Sequence, residues 1–237
     1  MLSPVRQSAR NPRPGTVVPR CPAETSSPDP PARAATFKLR QAWRPSPEAA
    51  FRPGAAWVAA SADALHIWAA LLDEHPRTQA THDHTPLWEL GDVFEIFLQL
   101  GDGPVYHEFH IAPNGCTLQL RFPDAHWPRA AGIDPWVQRS PGFEATVDTR
   151  PGRGIWNVRA RIPLSLLTGE TTGALAWPHH GRIAFGRYDY DDHGQPCCSH
   201  SARLTQCDFH RLHEWTPVTF PTFDAGMPAP AKPQGTA

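Results

Sequence analysis

The chain has 237 residues, enough for one domain of ordinary size plus tails. Charged residues make up 19% of it and the formal net charge is −1, which removes the electrostatic case for nucleic acid or an anionic membrane as partner. Aromatics reach 10%, with nine Trp against three Tyr, and the 28 prolines argue against a helical protein and for loops, edge strands and linkers.

Residues 1–36 are Pro, Arg, Ser and Ala with few large apolar groups and read as a disordered leader. Met1 to Arg20 holds no apolar core of a secretory signal, and no apolar run is long enough to span a bilayer, so compartment stays open. One domain is expected over 37–222, followed by a disordered tail over 223–237. Ala56–Ala60 and Leu65–Ala69 flank Ser61-Ala62-Asp63-Ala64, a hairpin signal. Leu87-Trp88-Glu89-Leu90-Gly91 leads into a strand from Asp92 to Leu100, and the turn Gly101-Asp102-Gly103-Pro104 leads to a strand from Val105 to Ala112. Asn114-Gly115 then turns the chain into Cys116–Phe122; Asn-Gly between extended runs is the strongest short hairpin signal.

Glu144–Asp148 and Gly154–Ile162 make a further pair across Arg150-Pro151-Gly152. In the second member Trp156, Val158, Ala160 and Ile162 alternate with Asn157, Arg159 and Arg161, the pattern of a half-buried strand. Leu164–Leu167 is the one helical candidate, and Arg182–Tyr190 and Trp215–Phe220 supply the last strands. Many strands at this spacing with Pro/Gly turns predict an all-β fold, an antiparallel sandwich of the jelly-roll kind.

The strand after Trp88 carries the most information. Phe94, Ile96 and Leu98 share one face and read as core, whereas Val93, Glu95 and Phe97 share the other. A carboxylate among apolar neighbours needs solvent, a partner or a ligand. Glu95 could sit in a groove with Trp88 covering the flat face of a polar ligand, or on an exposed sheet face with an internal salt bridge. On the neighbouring strand Tyr106, Glu108 and His110 point the same way as Glu95. An acid, an imidazole and an aromatic on one strip suit sugar hydroxyls and the C–H face of a sugar ring; a water-facing polar surface is the plainer alternative. Arg187 offers a planar donor fork for hydroxyl pairs or carboxylates, or else a structural ion pair with Asp189 or Glu95. Phe209 could face Trp88 as a second aromatic wall.

Other chemistry is less well supported. Cys197, Cys198, His200, Cys207, His210 and His213 cluster in sequence, but their order does not match paired zinc-ligand spacings. The Asp189-Tyr190-Asp191-Asp192-His193-Gly194 loop could hold calcium through oxygen ligands, without the EF-hand pattern. The five cysteines are odd in number; Cys197 and Cys198 are unsuited to pairing with each other, while a bridge from that pair to Cys207 is open if the chain is exported. Glu95 and Glu108 could approach across neighbouring strands as a glycosidase pair would. No nucleophile elbow, phosphate loop or His-Glu-x-x-His motif is present.

Taken in order, these pieces resemble the family 9 carbohydrate-binding modules, and more closely the family-9-like domains of bacterial proteins. They are Trp88 with Gly91-Asp92-Val93-Phe94-Glu95-Ile96-Phe97, Tyr106-His107-Glu108-Phe109-His110-Ile111-Ala112-Pro113-Asn114-Gly115, Trp156-Asn157-Val158-Arg159-Ala160-Arg161-Ile162-Pro163, Arg187-Tyr188-Asp189-Tyr190, and Phe209-His210 leading to Glu214-Trp215. The resemblance implies a β-sandwich that binds mono- or oligosaccharides without cleaving them and supports polysaccharide catabolism. It implies Trp88 and Phe209 as stacking walls and Glu95, His110 and Arg187 as hydrogen-bonding groups. Phe209 stands where Trp is usual, His110 where Arg is frequent, and Arg187 where an amide is found. Two other readings are a haem-binding sandwich, for which a His pair is open as axial ligands while Met1 and Met227 lie in the tails, and a protein-interaction sandwich with a vestigial groove.

Overall fold

The computed structural model describes residues 15–23, 27, 29–149, 154–169 and 176–223. In chain order its elements are β1 (Thr16–Val17), β2 (Ala35–Lys38), β3 (Gly54–Ala60), β4 (Ala64–Leu72), α1 (Leu87–Leu90), β5 (Val93–Leu100), β6 (Tyr106–Ile111), β7 (Thr117–Phe122), β8 (Glu144–Asp148), β9 (Ile155–Pro163), α2 (Leu164–Thr168), β10 (His180–Tyr190), β11 (Pro196–His200) and β12 (Thr216–Thr219). They form two sheets, an all-β sandwich as the alternation of the sequence predicts. One sheet runs β1-β12-β10-β5-β6-β7 with β11 added to β10; the other runs β2-β3-β4-β9-β8. Apart from the short parallel β1–β12 pair, every ladder is antiparallel.

The inner faces enclose the main core. Phe94, Ile96, Leu98, Phe109, Ile111, Ile183 and Phe185 from the first sheet meet Val58, Leu65, Ile67, Leu71, Trp156, Val158 and Ile162 from the second. In β9 each odd-numbered position is half exposed and each even-numbered one buried, the expected alternation. The Leu164–Leu167 turn forms as α2 and stops at Gly169, whose φ of 73° is in the left-handed region that glycine tolerates.

Two elements depart from the expectation. Within the leader expected over 1–36, Thr16–Val17 pairs with Val218–Thr219, Val18 is fully buried, and Ala35 belongs to β2. The short apolar run Thr16-Val17-Val18 covers an otherwise open edge at β12, and its small size hides it among prolines. Residues 1–14, 24–26 and 28 of the expected leader and 224–237 of the expected tail lie outside the described residues, as does the Arg150-Pro151-Gly152 turn. β11 was not expected either, because Pro196-Cys197-Cys198-Ser199-His200 has neither β-branched residues nor a bulky alternation.

The outer face of the first sheet is covered rather than solvated. Val93, Phe97, Tyr106, Leu118, Leu120, Phe122 and Ala184 form a second apolar cluster with Leu87, Leu204, Phe209, Leu212 and Trp215 from the connecting segments. Strand β6 is therefore buried at every position. Glu95, Glu108 and His110 consequently sit beneath this cover, each no more than 3% exposed.

Candidate functional site

The floor of the site follows from strand register. Glu95 lies opposite His110 on β6 and opposite Gly186 on β10, and Phe97 lies opposite Glu108. Being one residue apart in parity from the core-facing Phe94 and Ile96, these side chains project onto the outer face. Here they form a continuous chain of polar contacts. His110 Nδ1 is 3.3 Å from Glu95 Oε1, and His110 Nε2 is 3.1 Å from Glu108 Oε2. The other Glu108 oxygen is 3.0 Å from His210 Nδ1, which is also 3.0 Å from the Tyr106 hydroxyl. The Trp127 indole N–H donates to that hydroxyl at 2.9 Å.

Burial and charge divide this chain of groups. Burial, reinforced by the neighbouring Glu108, pushes the Glu95 carboxyl up to about 7, although His110 opposes the shift. Burial acts the same way on Glu108, but the His210 and His110 imidazoles outweigh it and hold that carboxyl at about 2. Burial works against the charged imidazoles, yet Glu95 and Glu108 together raise His110, and Glu108 raises His210. Glu108 is thus held as an anion between two imidazoles, whereas burial favours the neutral form of Glu95.

Around this floor is a pocket of about 290 Å³, at the small end of ligand sites, which run to about 300–1,000 Å³. Trp88 lines it from α1. The short helical turn is anchored by fully buried Leu87, and the Tyr190 hydroxyl donates to the Trp88 carbonyl. The half-buried indole of Trp88 meets the His110 ring edge-on at 5.5 Å between centroids. On the segment after β7, Trp127 is also half-buried and lines the pocket, stacked on Phe122 at 4.6 Å with the Arg129 guanidinium 5.9 Å from its centroid. Arg129 is in turn paired with Asp208 at 3.3 Å.

Four of the five residues singled out in the sequence, Trp88, Glu95, His110 and Phe209, line this pocket. Phe209 does so with only 6% exposure, because it packs against His200 at 4.8 Å, Tyr188 at 5.5 Å and Phe97 at 6.0 Å. It is more a buried support than an open wall. Gly186 makes room for it: a Cβ there would lie 2.8 Å from the ring and 3.1 Å from Glu95 Oε2.

Arg187 is a correction. It pairs in register with Phe94 and so faces inward, away from the pocket. Fully buried, it donates to the Leu72 carbonyl at 2.9 Å and to Asp73 at 2.8 Å, and lies 3.1 Å from Asp189. Of the two alternatives open in the sequence, the structural ion pair with Asp189 is the one formed. Tyr188, its neighbour in sequence, takes the pocket-facing position. Trp127 and His210 also line the pocket, without a signal in the sequence that marks them as pocket residues. Trp127 follows a loop rich in Asp, Pro and Ala without a readable period, whereas His210 was legible only as a member of the Cys/His cluster.

The carboxylates of the Asp189–Gly194 loop do not converge. Asp189 faces the buried Arg187, Asp191 accepts from the His193 and Gln195 amides of its own turn, and Asp192 pairs with Arg77 at 3.0 Å. Among the described residues, the acidic group close enough to share a cation is Asp73, Asp92 and Asp189. The Arg187 and Arg52 guanidiniums already contact Asp73 and Asp189, and two backbone amides donate to Asp92. The Cys/His cluster is likewise dispersed: Cys197 turns toward Gln41, His200 packs on Phe209, His210 joins the pocket, and His213 is exposed.

No protein-family model matches this sequence, and neither does any curated protein. Solved structures do match the fold. A Bacteroides uniformis protein described as a candidate carbohydrate-binding protein superposes with a TM-score of 0.65 at 13% identity, over 88% of this chain and 100% of that one. A family 9 carbohydrate-binding module from Caldicellulosiruptor kristjanssonii, in complex with cellotriose, gives 0.60 at 13% identity over 92% and 99% of the two chains. A module of the same family and organism in complex with glucose gives 0.57 at 10% identity over 89% and 97%. At these identities the likeness is one of fold: this chain has the sandwich of the family 9 carbohydrate-binding modules.

Proposed function

We propose that the domain binds a mono- or oligosaccharide in the pocket between Trp88 and Trp127, and that it cuts no glycosidic bond. The observation that carries the reading is the half-buried Trp88 indole beside a polar floor of Glu95, His110 and Glu108 in one small pocket. An indole face offers the apolar surface that the C–H side of a pyranose needs. The carboxylates and imidazoles below offer acceptors and donors to its hydroxyls. Glu95 is the first candidate acceptor, since Glu108 is held between two imidazoles. Trp127 replaces Phe209 as the second ring, and Arg187 has no part in recognition. The matched folds that hold cellotriose and glucose support a saccharide as ligand.

The non-catalytic reading rests on the wedge between the two carboxylates. A retaining glycosidase needs both carboxyls open to the sugar across about 5 Å. Here the His110 imidazole contacts both Glu95 and Glu108. Nothing specific favours the haem reading. Against an interaction surface, the large hydrophobic residues exposed among the described ones are Val17 and Leu72, neither of which lines the pocket.

A glycan array probed with the full chain, followed by calorimetry on the hits, tests the proposal. Saturable heat with a gluco- or xylo-configured sugar is the expected result. Absence of heat with every simple sugar, glucan and xylan would remove saccharide binding as the function.

A further inference from the structure

The formal net charge of −1 conceals an uneven distribution. A second groove, of about 540 Å³, opens where β2 passes the edge of the first sheet, and Lys38, Arg40, Arg182 and Arg203 line it. It forms because two short strands share one edge of β10. β12 pairs with His180–Ile183, and β11 pairs with Gly186–Tyr190. Ser201 fills the gap between them: its N–H donates to the Phe185 carbonyl at 2.8 Å, and its Oγ accepts from the Phe185 N–H at 2.9 Å. On the other side, the chain after β2 is tied to the end of β11, where Arg40 and His200 exchange N–H to carbonyl bonds at 3.0 and 2.9 Å. Arg182 has the outward parity of Ala184 and Gly186, and its guanidinium lies 3.4 Å from the His213 and Trp215 carbonyls.

Among the described residues none of these four cations has a carboxylate partner; the polar contacts of Arg40 and Arg182 are to backbone carbonyls. By contrast, Arg44, Arg52, Arg77, Arg129 and Arg161 each reach an acid elsewhere on the molecule. The one acid on the groove, Glu214, is already held by Arg211 at 2.8 Å and by the Thr205 N–H and hydroxyl at 2.8 and 2.7 Å. His213 at the rim is exposed and lies 3.6 Å from that same carboxylate. Four like charges gathered without a counter-charge repel one another, and each gains from an anion. Ser201 adds a neutral donor. It is 8% exposed, and its N–H and one Oγ lone pair are used on Phe185, yet its O–H meets no acceptor among the described residues.

We propose that this groove binds an acidic oligosaccharide, a chain with carboxylates on successive rings. Three of the four cations are guanidiniums, whose planar forks match carboxylates two bonds at a time. Thr16, Thr36, Ser201 and Thr216 line the same groove and offer partners to ring hydroxyls. Its two aromatic rings, Phe37 and Trp215, are 5% and 1% exposed, so a single-stranded nucleic acid finds no surface on which to stack its bases. An acidic peptide added to the sheet would need a run of open strand edge. His200 already fills the ladder position at Arg40, which leaves only the outward backbone groups of Thr36 and Lys38. The segment 201–215 separates the two sites: Ser201, Arg203 and His213 line this groove, and Cys207 to His210 line the pocket. The inference therefore stands independently of which ligand the pocket takes.

The experiment titrates the full chain with an oligogalacturonate by calorimetry, first at low salt and then with salt raised. The expected result is saturable one-to-one binding that weakens as salt screens the groove. Affinity should fall several-fold in Arg182→Gln and in the double variant Lys38→Gln/Arg203→Gln, whose two side chains are exposed and leave the fold undisturbed. Trp88→Ala should bind the oligogalacturonate as the wild type does. Absence of heat with the oligogalacturonate, or unchanged affinity in the double variant, would overturn the groove as its site. Loss of binding in Trp88→Ala would move the acidic sugar to the pocket and overturn it equally. Binding of an oligo-aspartate or an oligodeoxynucleotide of equal charge as tightly as the oligogalacturonate would overturn the assignment to a sugar.

Discussion

A single step of strand parity separates the two polar sites of this protein. Glu95, Glu108 and His110 were legible as one strip because β5 and β6 alternate cleanly and a tight turn fixes their register. The family resemblance implies Arg187 as a partner of that strip, although Phe185, Arg187 and Asp189 share the parity of core-facing Ile183. The aromatic-polar density around Tyr188 concealed that the face changes at every residue. The cost of removing Arg187 follows from its place. Arg187→Met would leave Asp73 without its buried partner and Asp189 with only Arg52, so chemical denaturation should show a loss of about 3–5 kcal/mol, the usual penalty for breaking a buried pair from one side. A loss under 1 kcal/mol would contradict the structural role.

The charge state of Glu95 couples the stability of the fold to pH. Its carboxyl titrates near 7 in the folded chain and near the ordinary carboxylate value, about 4.3, when unfolded. Between those values the folded state binds more protons, so stability falls as pH rises through the window and levels off above it. His110 and His210, also raised by their carboxylates, add a loss of the same sign above their unfolded value of about 6.5. Buried His107, His200 and His66, held low by desolvation, act with the opposite sign, so the contribution of Glu95, a loss on the order of 3 kcal/mol between pH 5 and pH 8, is read as the difference between wild type and Glu95→Gln. The stability of Glu95→Gln relative to wild type should therefore rise from pH 5 to pH 8. Equal slopes in the two proteins would mean that Glu95 is not held neutral by burial. Below pH 4.5 the sign reverses through Glu108, whose depressed carboxyl stabilises the fold above its unfolded value and loses that contribution as pH falls toward about 2.

Among the elements, β10 does the most to shape the site. Its Gly186 admits the Phe209 ring against the strand backbone and leaves Glu95 its space. Gly186→Ala must push back the ring or the carboxylate, and overpacking of this kind costs about 1–3 kcal/mol. The expected outcome is a lower melting temperature and weakened ligand binding together, read by denaturation and calorimetry. Unchanged stability would show that Phe209 is not seated on that glycine. The hairpins β3–β4, β5–β6–β7 and β8–β9 were readable because each couples period-2 alternation with a turn signal. β1, β2 and β11 were not, since two to five residues carry too short a period and their strand character comes from the edge they join. The helical turn α1 was unread for the same reason: four residues are held by burial of Leu87 and the Tyr190 hydroxyl, not by any helical pattern.

Taken whole, the molecule is a sandwich with an additional covered face. A sheet polar on one side is expected to meet water there, and the sequence offers no simple sign that segments around 80–91, 123–137 and 201–215 fold over it. That cover turns an open strip into a pocket, encloses a carboxylate–imidazole chain, and brings Trp127 and His210 to a site from which the sequence left them out. It also explains the small volume of the pocket and the nearly complete burial of Glu95. Family resemblance anticipated the sandwich and the positions of Trp88, Glu95 and His110. It could not anticipate Trp127 at the pocket, because that depends on a loop with no period to read.

The central claim is that Trp88 and the Glu95 floor form a saccharide site. Calorimetric titration of the wild type and Trp88→Ala with the best sugar from the array tests it most directly. Saturable binding by the wild type is expected, with a loss on the order of tenfold or more in the variant, about 1.4 kcal/mol, and the melting temperature little changed. Equal affinity in the two proteins would place the ligand elsewhere and contradict the account.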